Sequence, residues 1–270
     1  MKWQNRKRSG NVRRGGGAAG LGIGGIVLVI IVTLLGGNPL PLITGGTLAG
    51  PQETTTELRD DRDQFLAVVL QDTEDAWNEI FNDYGMEYKE PQLVLYDKGV
   101  QTKCGSATSQ VGPFYCSGDE TVYIDTTFYD DLKKTFDAPG DFAFAYVLAH
   151  EVGHHVQNQL GIMNQVYAQK SSLSEEEFNK LSVKLELQAD YFAGVFAKYI
   201  QGKGYLEEGD IDEALNAAAG VGDDRIQEMT TGEIRPDKFT HGTSEQRKEW
   251  FVRGMKYGDI EHSDTFSEIK

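Results

Sequence analysis

No acidic residue precedes Glu53, although Lys2, Arg6, Lys7, Arg8, Arg13 and Arg14 all do. The remainder is correspondingly poor in bases. Of 26 Lys and Arg in the chain these six lie early, which leaves 20 against 42 Asp and Glu from residue 53 onward. A body this acidic disfavours a general binder of phosphate backbones, so nucleic acid is not an expected partner. Only one long apolar run is present, Leu21–Leu35, so a membrane-embedded chamber does not follow. No internal repeat is visible, two cysteines allow a single disulfide, and five histidines leave few candidates for imidazole chemistry.

At 270 residues the chain can hold one domain of ordinary size plus a tail. Residues 1–20 read as a basic cytoplasmic tail and residues 21–35 as a transmembrane signal anchor. The run has no charge and one polar side chain, Thr33, which puts it at the short edge of what spans roughly 30 Å of hydrocarbon. A cleavable signal peptide has an apolar core of similar length, but no clear small-x-small site follows Leu35. With the bases on one flank, the N-terminus is expected in the cytoplasm and the body outside it, with the protein anchored in the cell membrane as a single-pass chain. Residues 36–56, rich in Gly, Pro and Thr, read as a linker. Cys104 and Cys116 bracket a turn-rich segment, and an extracytoplasmic domain can keep them as a disulfide contributing about 3 kcal/mol.

Residues 57–270 read as the folded domain, of class α+β: a small β-sheet and a mainly helical body. Phe65, Leu66, Val69, Leu70, Trp77, Ile80 and Phe81 give a helix from Arg59 to near Gly85. Short strands are expected at Gln92–Tyr96, Gly112–Cys116 and Thr121–Ile124. Helices follow at Phe128–Phe136, Phe142–Leu160, Ser174–Gln201, Gly209–Gln227 and Ser244–Tyr257.

The chemistry concentrates in His150-Glu151-Val152-Gly153-His154, inside an apolar-periodic helix. Residues i and i+4 share a helix face, so the two imidazoles can meet one zinc ion (Zn2+), with Glu151 placed to act as general base on its water. A catalytic zinc site has three protein ligands and an open position. Glu186 and Asp190, again i and i+4, supply the missing carboxylate. Glu186 is assigned as ligand and Asp190 as the acceptor that fixes a ligand histidine, although the spacing allows the reverse. His155 points about 100° away from the pair and reads as structural or solvent-facing. Farther on, Ser244 can cap the last long helix and Arg247 can reach a carboxylate of the metal site. His241 either donates to the oxyanion of a tetrahedral intermediate or bonds loop backbone. His262, in an acidic tail, reads as solvated.

The order of the blocks CGSATSQVGPFYC, VYID, HEVGHHVQ, ELQADYFAGVFA and THGTSEQRKEWF, after a basic N-terminus and one apolar segment, resembles the neutral zinc metallopeptidases of bacterial envelopes. The resemblance covers nearly the whole chain. It implies a zincin-like domain, zinc, peptide-bond hydrolysis of protein or peptide substrates, and an anchored location. The histidine pair with the later E-x-x-x-D is also similar to the gluzincin pattern of thermolysin-like and CaaX-type peptidases, where the first carboxylate binds zinc and the second supports a histidine. Thr240, His241 and Arg247 resemble a T-H-x-x-x-x-x-R block of the latter, with Gly242 standing where proline is usual. Two other readings compete: a non-catalytic envelope module stabilised by zinc, and a metal-dependent amidase of the cell wall.

Overall fold

The computed structural model describes residues 1–15, 54–55, 57–108 and 111–269. Its sheet begins in the basic N-terminus. Strand β1 (Val12–Gly15) is joined by β2 (Thr54–Thr55), antiparallel, with Gly15 opposite Thr54. Helix α1 (Asp61–Asp83) follows, its first turn closed by the Asp60 carboxylate accepting from the Asp63 amide. Strands β3 (Gln92–Tyr96), β4 (Gly99–Thr102), β5 (Gly105–Thr108), β6 (Phe114–Cys116) and β7 (Thr121–Asp125) come next. β3 lies parallel to both β1 and β7, and β6 pairs antiparallel with β7 at the edge, giving the order β2-β1-β3-β7-β6. β4 and β5 form a separate hairpin.

Alternation sorts the side chains of this sheet. Leu93, Leu95, Val122 and Ile124 face the helices, whereas Val94, Tyr96, Tyr123 and Cys116 form a second cluster with Val100 and Ala107 of the hairpin. Cys104 and Cys116 are joined, with Cα atoms 5.8 Å apart.

The remaining helices are α2 (Phe128–Lys134), α3 (Asp141–Gln159), α4 (Ile162–Tyr167), α5 (Glu175–Gly202), α6 (Asp210–Gly220), α7 (Asp223–Thr231), α8 (Ser244–Tyr257) and α9 (Thr265–Glu268). α3 runs through the centre, buried from Phe142 to Gln157. α5 starts at a capping box, Ser174 with Glu177, and packs against both α3 and α8. Glycines allow these close crossings. A Cβ at Gly153 would lie 2.9 Å from the Ala189 carbonyl oxygen, and one at Gly194 would lie 2.0 Å from that of Phe251.

The expectation of a single N-terminal transmembrane helix is overturned. Among the described residues no helix is long and apolar enough to cross a membrane, and the apolar run 21–35 lies outside them. Residues 1–15 do not stand apart as a tail. β1 sits between β2 and β3, Arg14 is buried in ion pairs with Asp63 and Asp97, and the Met1 ammonium is buried against Asp141 (2.6 Å) and Asp210 (3.1 Å). One crossing between residues 15 and 54 would put the two partners of a single sheet on opposite sides of the bilayer. Most of the expected linker also lies outside the described residues, but Thr54–Thr55 belongs to the sheet.

Two local readings change as well. The expected helix Gly209–Gln227 is two helices, because Gly222 takes an extended conformation (φ −70°, ψ 141°) against Ser244, whose hydroxyl donates to the freed Ala219 carbonyl. With Ser244 so engaged, the cap of α8 is Thr243, which forms a capping box with Gln246.

Candidate metal centre

The metal-binding geometry starts from α3 and α5 crossing at Gly153. His150 and His154, one turn apart, turn their Nε2 atoms to the two oxygens of Glu186 on α5, at 3.1 and 3.4 Å. One donor atom from each of the three residues lies within 4.8 Å of the others. All three line a cavity of about 320 Å³, together with Glu151 and His241. Among the described residues no fourth donor joins this group. Two imidazoles and a carboxylate, with open space in front, are the donor set of a catalytic zinc site.

Protonation agrees with a site made for positive charge. Burial pushes the His150 imidazole down, but Asp190 and Glu186 outweigh it and raise it to about 10. Burial likewise opposes His154, whose proton affinity Glu186 nevertheless raises. Glu186 is pulled well below the usual carboxylate range against its burial, chiefly by His154 and then His150. The carboxylates that favour a proton on these histidines would favour a dication for the same electrostatic reason. Glu151 moves the other way: burial raises it above an ordinary glutamic acid, only partly offset by the two histidines. A carboxylate so raised holds a transferred proton better than a solvated one.

Asp190 lies behind His150 and is fully buried. Its Oδ1 accepts from His150 Nδ1 at 2.9 Å and from the Tyr146 hydroxyl. Arg247 of α8 holds the same carboxylate from the other side, with Nε on Oδ2 at 2.8 Å and Nη2 on Oδ1 at 3.0 Å. Arg247 and His150 keep Asp190 below the ordinary aspartate range although burial opposes them. The sequence assigns Glu186 as ligand and Asp190 as the acceptor behind a histidine while allowing the reverse; in the fold Glu186 faces both Nε2 atoms and Asp190 faces one Nδ1. Arg247 fixes that difference.

His241 reaches the cleft from the loop before α8. Asp223, fully buried at the start of α7, accepts from the backbone amides of Thr240 (2.7 Å), His241 (2.6 Å) and Gly242 (3.1 Å), and from His241 Nδ1 at 3.1 Å. The loop backbone and the imidazole therefore share one carboxylate, and Nε2 is left for the cleft. Burial lowers the His241 imidazole, but Asp223 outweighs it and the net shift is upward. His155 points away from the site, bonded to the Tyr115 hydroxyl at 2.9 Å and the Lys89 carbonyl at 2.6 Å. His262 is half-buried on Asp259 and stacks on Tyr257 at 3.9 Å, so it is not simply solvated.

Three contributors escaped the sequence reading: Tyr146, Gln157 and Asp223. Tyr146 is four residues before His150 and Gln157 three after His154, so helical spacing alone could have pointed to both. Asp223 carries no such signal, being 18 residues before His241.

Over residues 1–266 the chain matches the protein family described as putative neutral zinc metallopeptidase. YpfJ of Escherichia coli K12, an uncharacterized protein, is 45% identical, and the match covers 99% of each chain. Rv2575 of Mycobacterium tuberculosis H37Rv, also uncharacterized, is 45% identical over 67% of this chain and 64% of its own. No solved structure matches.

Proposed function

The chain belongs to the neutral zinc metallopeptidase family, and we propose that it hydrolyses peptide bonds at the His150, His154 and Glu186 centre with Glu151 as general base. The observation that carries this reading is the three-donor group at a cleft with Glu151 beside it. Zinc bound there would supply Lewis-acid polarisation of the scissile carbonyl and a water of lowered pKa.

The chain's own residues do the rest. Glu151 takes the proton of the attacking water and hands it to the leaving amine. His241, its Nδ1 held by Asp223, offers Nε2–H to the carbonyl oxygen as negative charge develops there. Asp190, clamped by Arg247 and Tyr146, holds His150 with its Nε2 turned inward. Strand β6 is a sheet edge, and Phe114 and Tyr115 from it line the same cleft, which suits an extended peptide. The Cys104–Cys116 bond supports a working place outside the reducing cytoplasm.

Glu151→Gln tests the assignment. The variant should bind zinc as the parent does and lose hydrolysis of a peptide library by at least a hundredfold. Turnover at the parental rate would sink the mechanism.

A further inference from the structure

Each histidine of the centre has a partner on its inner nitrogen, but the partners differ in kind. His150 has a carboxylate from another helix. His154 has an amide from its own: Nδ1 lies 2.9 Å from Gln157 Oε1. Gln157 is wholly buried, and its Nε2 donates to the Leu185 carbonyl at 2.6 Å and to Gln188 Oε1 at 3.1 Å. Gln188 is buried as well, and its Nε2 donates to the Ser263 carbonyl at 2.9 Å.

Two backbone carbonyls settle which way these amides face. A carbonyl oxygen only accepts, so Leu185 requires the NH2 of Gln157 and Ser263 requires that of Gln188. Oε1 of Gln188 then meets Gln157, and Oε1 of Gln157 meets His154. With an acceptor on Nδ1, His154 carries a proton there in either charge state, and Nε2, facing Glu186, is the nitrogen left to offer its lone pair to a metal ion.

We propose that Gln157 is the positioning residue of His154 and that Gln188 and Ser263 lock it, so that a one-way chain of amides sets the tautomer of the second metal histidine. The inference rests on the zinc site described above. Leu185 adjoins Glu186 in α5, so the same amide that orients His154 also grips the backbone beside the third ligand. Neutrality of the amide has a reason. Glu151, Glu186 and Asp190 already bring three negative charges to a buried site that Arg247 and a dication would balance, and a carboxylate at position 157 would leave one uncompensated. The row of amides ends at Ser263 in the 3-10 turn Glu261–Ser263, which ties the C-terminal segment to His154 through Gln188 and Gln157.

The test uses the full chain with Gln157→Leu and Gln188→Leu, each measured for zinc dissociation constant by competition with a chromophoric chelator. The visible spectrum of the cobalt-loaded protein and the melting temperature of the metal-free protein are recorded beside it. Gln157→Leu should weaken zinc binding by about 10- to 100-fold and shift the cobalt bands. Gln188→Leu should do the same to a smaller degree, since Gln157 keeps its oxygen but loses half its lock. Should Gln157→Leu fail to fold, Gln188→Leu decides alone. A folded variant with zinc affinity within twofold of the parent and unchanged cobalt bands overturns the proposal, whatever its melting temperature, because a purely structural amide would move stability alone. A parent chain that binds no zinc would sink the metal site itself, which is a separate result.

Discussion

Replacing Gly153 by alanine tests how closely the metal site depends on the crossing of α3 and α5. The added methyl would lie 2.9 Å from the Ala189 carbonyl oxygen, 3.1 Å from Ala189 Cα and 3.3 Å from Phe192 Cβ. Ordinary contact begins at 3.4 Å, so the helices must part by about 0.5 Å, and backbone atoms cannot swing aside as a side-chain tip would. Overpacking of this sort costs about 1–3 kcal/mol. Alanine in place of a mid-helix glycine returns about 1 kcal/mol. The net loss of stability is therefore small, roughly 0–2 kcal/mol. The metal site has much less slack, since ligand distances must hold within about 0.2 Å. His150 and His154 ride on one helix and Glu186 on the other, so the separation falls directly on the three donors. Zinc affinity should drop at least tenfold, about 1.4 kcal/mol at 25 °C, while the metal-free protein still folds cooperatively. Chelator competition and thermal unfolding of the metal-free protein measure the two quantities. Zinc affinity within twofold of the parent would refute the argument that this glycine sets the spacing of the ligands.

Two further predictions concern stability. Asp190→Asn leaves Arg247 charged, buried and without its counter-ion, which should cost about 3–5 kcal/mol in urea unfolding of the metal-free protein; a change below 1 kcal/mol would mean that Arg247 finds another partner. Asp72 is raised to about 7 because its burial outweighs the nearby Arg6. A carboxyl with a raised folded-state pKa contributes its full stability below its unfolded value of 3.8 and loses it as pH rises through the folded value. Asp72→Asn should therefore flatten part of the decline in melting temperature between about pH 4 and pH 7, and parallel profiles for parent and variant would contradict this.

Much of the site could be read from the sequence because its signals are local. The i, i+4 pairs on two helices place four side chains with nothing more than helical geometry, and Gln92–Tyr96 and Ser244–Tyr257 have the bounds that their patterns give. The sequence assigns Glu186 as ligand and Asp190 as the acceptor behind a histidine; what spacing alone does not exclude is the reverse order, since both share one face of α5. The choice between the two depends on Arg247, which arrives 57 residues after Asp190. The N-terminal strand was hidden for a different reason. Val12–Gly15 is four residues long, two of them arginine, so it shows no apolar alternation. Burial of Arg14 becomes tolerable only through Asp63 and Asp97, and the neighbouring apolar run draws attention to targeting instead.

The register of β1 bears on how the molecule would come apart. Gly15 and Thr54 face each other across two paired strands, so the two ends of the intervening stretch are held side by side by the sheet and need no covalent link between them. A single peptide bond cut within that stretch would yield two polypeptides rather than two fragments of a ruined fold. The shorter would stay threaded between β2 and β3, held by ladder hydrogen bonds, by Arg14 and by the ammonium of Met1. A shortened gene starting after residue 56 would instead strip β3 of its neighbour and present a bare strand edge to solvent, with aggregation as the expected fate.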